Sequence, residues 1–179
     1  LQSQEVPYII EKNACPPFEE YLYLPPIYHG DKASKGFTRD EFEKLRAGLE
    51  KFGGEKITDE KLKESIRIYN RNRSLLRRLY EIRREKPGIL KGRDILRIVW
   101  ASMLMPKEEH SKLLEKLISE LEKDGHVPAK GKRVFLSGCL CIHPQLELLD
   151  MIEDLGMSVV DDDIYVGYRY FANDAEETD

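Results

Sequence analysis

Arg133-Val134-Phe135-Leu136-Ser137-Gly138 decides the fold. It is a short run of strand-forming residues closed by glycine. A helical stretch follows it, and Met157-Ser158-Val159-Val160 then reads as a second strand. Two strands joined through a helix make one β-α-β unit with parallel strands. Parallel sheets ordinarily carry more strands, with helices on both faces. The reading is therefore an α/β fold: a helical segment followed by a Rossmann-like β-α-β unit, as a piece of a longer protein. The alternative is a small α+β domain with a minimal sheet.

Upstream of the first strand the pattern is helical. Asp124-Gly125-His126-Val127-Pro128 is a linker. Before it, Leu113, Leu114, Leu117, Ile118 and Leu121 give one helix an apolar face, with Pro106 near its start, where a missing N–H costs nothing. Another helix runs through Ile95, Leu96, Ile98, Val99 and Met103, with Asp94 expected to cap it. A longer one is capped by Thr58 and stopped by Pro87-Gly88, and Leu62, Ile66, Tyr69, Leu76 and Leu79 form its stripe. Thr38-Arg39-Asp40-Glu41 reads as a capping box opening a helix that ends at Gly53-Gly54. Residues 1–36 read as an extended, loop-rich segment in which Tyr21-Leu22-Tyr23-Leu24-Pro25-Pro26 should lie extended against something. The division is thus 1–36 extended, 37–126 helical, and 127–179 the start of a Rossmann-like domain.

The chain has 179 residues, a net charge of −4 and 35% charged residues. This is a charge-rich globular composition. Its acidic balance argues against generic nucleic-acid binding, and no apolar run approaches the roughly 20 residues of a membrane span. Three cysteines cannot all pair within one chain. With no signal peptide in view, that places the protein in a reducing cytoplasm.

Three stretches could carry chemistry. Ser137-Gly138-Cys139-Leu140-Cys141-Ile142-His143-Pro144 lies after a strand and before a helix, where open α/β sheets bind ligands. Cys139, Cys141 and His143 are well placed there. A C-x-C pair does not close a tetrahedral site alone, however, and buried free cysteine is often a small hydrophobe. Asp161-Asp162-Asp163, read as following the second strand, could bind a cation; a solvated turn is the simpler account. The long helix has ten Lys or Arg against five Asp or Glu between Asp59 and Lys86. Its arginines could meet phosphates, though a solvated face or a subunit contact is the plainer reading. From Asp161 to Asp179 there are seven carboxylates against Arg169 alone, which reads as a solvated tail.

A resemblance carries the reading further. Ile57-Thr58-Asp59-Glu60-Lys61-Leu62 runs on to Tyr69-Asn70-Arg71-Asn72-Arg73. Arg133 to Gly138 is followed by Pro144 and Leu149-Asp150-Met151-Ile152-Glu153-Asp154-Leu155-Gly156. Then comes Val159-Val160-Asp161-Asp162-Asp163. This order resembles the central part of subunits of the 2-hydroxyacyl-CoA dehydratase and benzoyl-CoA reductase family over roughly residues 16–172. The resemblance implies longer subunits with two Rossmann-like domains, a related sister subunit, and a [4Fe–4S] cluster held by cysteines. It also implies an ATP-hydrolysing activator that delivers one low-potential electron to an acyl-CoA, in anaerobic metabolism. The activity would be that of an oxidoreductase or a lyase.

Cys141, three residues before Pro144, resembles the cysteine some reductase-type members carry after the first strand. It is the cluster ligand the resemblance implies. Where some members have a cysteine after the second strand, this chain reads Ile164-Tyr165-Val166-Gly167-Tyr168. The other expectation, from a different class, is a non-catalytic family-like domain serving subunit assembly or interaction.

Overall fold

The computed structural model describes residues 32–138 and 146–177. These fall into two units, one running through Lys61 and the other beginning at Leu62.

In the first unit, helix α1 spans Lys32–Gly53. It starts earlier than the Thr38 capping box predicts, so Thr38 and Glu41 lie inside it. Lys32, Ala33 and Lys35 are good helix formers, and a lone Gly36 costs only about 1 kcal/mol, too little to stop the helix. It ends as read: Gly54 takes φ +71° and its N–H bonds the Glu50 carbonyl at 3.0 Å. The following turn is tied by Glu50, which accepts from the Ile57 N–H at 2.9 Å and pairs with Lys56 at 2.6 Å. Helix α2, Asp59–Glu85, opens on Thr58, whose Oγ1 accepts the Lys61 N–H at 3.3 Å.

The second unit contains the rest of α2, then α3 (Gly92–Leu104), α4 (Lys107–Lys123), strand β1 (Arg133–Ser137), α5 (Leu146–Asp154), strand β2 (Ser158–Asp163) and the single turn α6 (Tyr168–Phe171). One core joins Leu76, Leu79, Tyr80 and Ile82 of α2 to Ile95 and Val99 of α3, Leu114, Ile118 and Leu121 of α4, and Phe171. A second joins Leu96, Leu149, Val159 and Ile164, with Trp100 and Leu136 packed against them. Helix α3 serves both, Ile95 and Val99 on one side and Leu96 on the other. The stripe read along α2 is buried only in its later part; Leu62 and Tyr69 are exposed because the core partners meet α2 from Leu76 onward. Helices α2 and α4 run parallel. Arg71–Glu115 and Arg78–Glu122, at 2.5 and 2.8 Å, are pairs one heptad apart with the same sequence offset.

Strands β1 and β2 pair in parallel, Arg133 with Ser158 and Val134 with Val159. The register then slips, so that Phe135 faces Asp161 and Ser137 faces Asp163. Val160 is the extra residue of a bulge. The slip lets Val159 and Val160 both be buried and puts Asp162 among the buried positions. The three aspartates therefore form the end of β2 rather than a turn after it. Helical and β-α-β parts together give the α/β fold expected from the sequence. Among the described residues no helix is long and apolar enough to cross a membrane.

Candidate functional site

The carboxyl ends of β1 and β2 lie side by side, with Ser137 opposite Asp163. The path of the chain beyond β2 is set by Asp162, 2% exposed. Its Oδ2 accepts from the Tyr80 hydroxyl at 2.7 Å and from Arg83 Nη1 at 3.2 Å. Its Oδ1 accepts the Tyr168 N–H at 2.8 Å, closing the turn of residues 164–167. Gly167 is required there, since a Cβ would stand 2.1 Å from Asp162 Oδ1. Arg83 also donates to the Val159 carbonyl at 2.8 Å, so α2 grips β2 at two points. Burial, joined by the Asp162 charge, holds the Tyr80 phenol well above its usual pKa, which keeps it a donor.

The neighbouring aspartates have other partners. Asp161 pairs with Arg84 at 3.6 Å. Asp163 takes Arg169 in a two-point pair at 2.5 and 2.7 Å, which lowers its carboxyl pKa and raises that of the guanidinium. The cation-binding reading of this run gives way to three separate ion pairs. Among the described residues no group of three or more His, Cys, Asp or Glu could hold a metal ion.

The arginines of α2 are spent in the same manner. Arg77 bonds the Phe171 carbonyl at 2.9 Å and both oxygens of Asp174; Arg67 and Arg78 meet Glu64, and Glu81 with Glu122. A phosphate site on this helix is not what they form. Asp174 and Glu177 are exposed, as the tail reading expects, and each also accepts a hydrogen bond from α2.

The Tyr69-Asn70-Arg71-Asn72-Arg73 motif has a structural account. The Asn70 amide pairs with the backbone of Ala175 in both directions, at 2.9 Å each, as a strand would. Asn72 is buried and bonds three side chains: it accepts from Ser102 at 2.7 Å and donates to Ser111 at 3.0 Å and to His110 Nδ1 at 2.9 Å. His110 Nε2 faces the Ile98 carbonyl at 3.0 Å. Lys107, 6% exposed, donates to the Ser102 carbonyl and Oγ and to the Tyr170 hydroxyl at 2.9 Å. Sequence reading did not find Ser102, Lys107, His110 or Ser111. One signal was available: Asn72 fills the place between Tyr69 and Leu76 where the apolar stripe should continue.

Cys139, Cys141 and His143 fall within residues 139–145, outside the described residues, and so does Cys15. The described part places only their surroundings: the end of β1 before them and α5 after.

A helical segment feeding a parallel β-α-β unit, with its strand ends side by side, defines an α/β protein. The chain belongs to the family described as 2-hydroxyglutaryl-CoA dehydratase, D-component, whose model matches residues 3–179. One of the benzoyl-CoA reductase subunits of Thauera aromatica is 32% identical over 157 residues, covering 88% of this chain and 40% of that protein. Lactoyl-CoA dehydratase subunit beta of Anaerotignum propionicum is 32% identical over 143 residues, 80% of this chain and 38% of that one. The (R)-2-hydroxyglutaryl-CoA dehydratase subunit beta of Acidaminococcus fermentans is 28% identical over 152 residues, 85% of this chain and 40% of that one. The chain thus spans about 40% of the length of these curated relatives.

A [4Fe–4S] cluster takes four thiolates. The chain has three cysteines, all outside the described residues, so its own thiolates cannot complete such a cluster.

Proposed function

We propose that this chain is part of a subunit of an iron–sulfur acyl-CoA reductase or 2-hydroxyacyl-CoA dehydratase. It would work in the cytoplasm beside a sister subunit of the same family and an ATP-hydrolysing activator. The observation that carries the reading is the family match over residues 3–179, in a chain whose parallel strands end together where α/β proteins bind ligands. When bound, a [4Fe–4S] cluster would supply the low-potential electron received from the activator. Cys141 is the proposed ligand from this chain; three further thiolates must come from elsewhere.

The chain's own contribution is a fixed strand end. Asp162 locks the turn after β2, Arg83 and Tyr80 hold Asp162, and the acyl thioester would be oriented against that turn. With one ligand and one strand end, the chain alone is expected not to turn over acyl-CoA, even with activator present.

Anaerobic reconstitution with iron and sulfide of the full-length protein that carries this chain, in complex with its partner subunit, tests the cluster assignment, with bound iron and the visible charge-transfer spectrum compared between wild type and Cys141→Ser. Stoichiometric iron that disappears in the variant is the expected result. Iron in neither protein would remove Cys141 from the ligand set and favour the interaction-domain reading.

A further inference from the structure

The turn after β2 is built to present one side chain. Ile164 is buried and Val166 packs against the same cluster, while Tyr165 between them is 50% exposed. The Gly167 N–H bonds the Ile164 carbonyl at 3.1 Å, and the Arg169 N–H bonds the same carbonyl at 3.3 Å. Asp162 fixes the far end of the turn through Tyr168 N–H, with Gly167 against its carboxylate. An exposed aromatic ring therefore stands on a backbone anchored at both ends.

The ring is also backed. The Arg169 guanidinium lies over it, 5.0 Å from the centroid, and is held by both oxygens of Asp163. Asp163 takes up the guanidinium's charge and its paired N–H donors, which leaves a stacked plane rather than an anion site. Asp163 is the register partner of Ser137, so the assembly sits at the carboxyl end of the sheet. A rigid, buttressed ring at that position is suited to stacking against another flat ring.

We propose that Tyr165, held by Arg169 and Asp163, is the stacking surface for a planar aromatic ring of an acyl-CoA ligand. This rests on the acyl-CoA reading above. The ring has two possible sources on such a ligand, an aryl acyl group or the adenine of the coenzyme. Tyr165 touches the ligand; Arg169 and Asp163 are positioning residues.

The test measures equilibrium binding to the full-length protein carrying this chain, in complex with its partner subunit. The variants are Tyr165→Phe and Tyr165→Leu. The probes are benzoyl-CoA, butyryl-CoA and the benzoyl thioester of N-acetylcysteamine, which lacks adenine. Tyr165→Leu is expected to weaken ring binding about two- to twelvefold, the usual range for a lost aromatic pair, with Tyr165→Phe near wild type. A loss confined to the two benzoyl probes assigns the ring to the acyl group. An equal loss for the two CoA thioesters, with none for the N-acetylcysteamine ester, assigns it to adenine. Unchanged binding of all three probes in Tyr165→Leu, or equal losses in the Phe and Leu variants, overturns the stacking role and leaves the acyl-CoA reading standing. Wild type that binds neither CoA thioester overturns that reading and the proposal with it.

Discussion

A single protonation state of His110 completes the buried circuit around Asn72. Its Nε2 meets a carbonyl and must carry the proton, while its Nδ1 receives the Asn72 amide and must not. Protonation at Nδ1 would set N–H against N–H. Burial lowers the imidazole pKa, and the Lys107 charge adds to this against the Ile98 carbonyl, which raises it. The unfolded chain protonates near the ordinary value of about 6.5 and so binds more protons than the native state just below it. The contribution of His110 to stability is therefore full above about pH 6.5 and is lost as pH falls through the lower folded value. Asn72→Asp should reverse this, because a carboxylate facing Nδ1 stabilises the imidazolium. NMR titration of His110 is expected to show its pKa rising above about 6.5 in the variant. Asn72→Ala should cost roughly 3 kcal/mol in urea denaturation at neutral pH, since it leaves buried partners unpaired. A His110 titration that is the same in wild type and Asn72→Asp would separate the imidazole from this circuit.

Helix α3 begins without a capping side chain of its own. Lys91 occupies the N-cap position, and Asp94, which the sequence suggests as the cap, sits in the first turn. The missing acceptor arrives from α5: Glu153 Oε1 takes the Gly92 N–H at 2.8 Å. Burial raises the Glu153 carboxyl pKa more than this bond and nearby cations lower it. The native state then binds more protons than the unfolded chain above about pH 4.5, so this group's contribution is full at acid pH and lost as pH rises through the raised value. Glu153→Gln keeps an acceptor and removes the buried charge. It is expected to be neutral or to stabilise by up to about 1 kcal/mol at pH 7, whereas Glu153→Ala should lose about 1 kcal/mol. Urea denaturation of both variants decides it; equal losses would mean that the charge, not the cap, matters. Legibility followed the same line between local and distant. Thr58, Gly54 and Gly88 were readable because their partners lie within a turn or two. Glu153 was not, because nothing in the α3 sequence names a residue on another helix. The aspartates of β2 were read as a turn because Asp is poor in strands, and the overriding partners, Arg83, Arg84 and Arg169, come from α2 and α6. The place of the strand ends was legible, since position along β-α-β units is a local property. Their bracing by Tyr80 and Arg83 was not.

The two units differ most in what they bury. Among described residues from 35 to 61 none is buried, and Phe37, Leu49 and Phe52 of α1 are exposed. From Leu62 onward two apolar clusters are buried, and Arg83 with Asp162 forms an ion pair whose side chains are 2% and 1% exposed. Each buried aliphatic or aromatic side chain contributes about 1.5–3 kcal/mol, while a helix without tertiary burial is marginal in water. Surface pairs such as Lys44–Glu41 and Lys61–Glu55 are screened by water and cannot make up the difference. Stability should therefore be graded along the chain rather than uniform. Hydrogen exchange of this chain is the measurement. Amides of α1 are expected to exchange through local opening costing no more than about 2 kcal/mol, insensitive to mutations in the second unit. Amides of Leu76–Ile82, Ile95–Val99 and Leu114–Leu121 should exchange only through global unfolding. Asp162→Asn should lower their protection by about 3–5 kcal/mol, because it strands Arg83 as an unpaired buried charge, and should leave α1 unchanged. Equal protection of α1 and the core helices, or loss of α1 protection in Asp162→Asn, would show that the two units unfold as one.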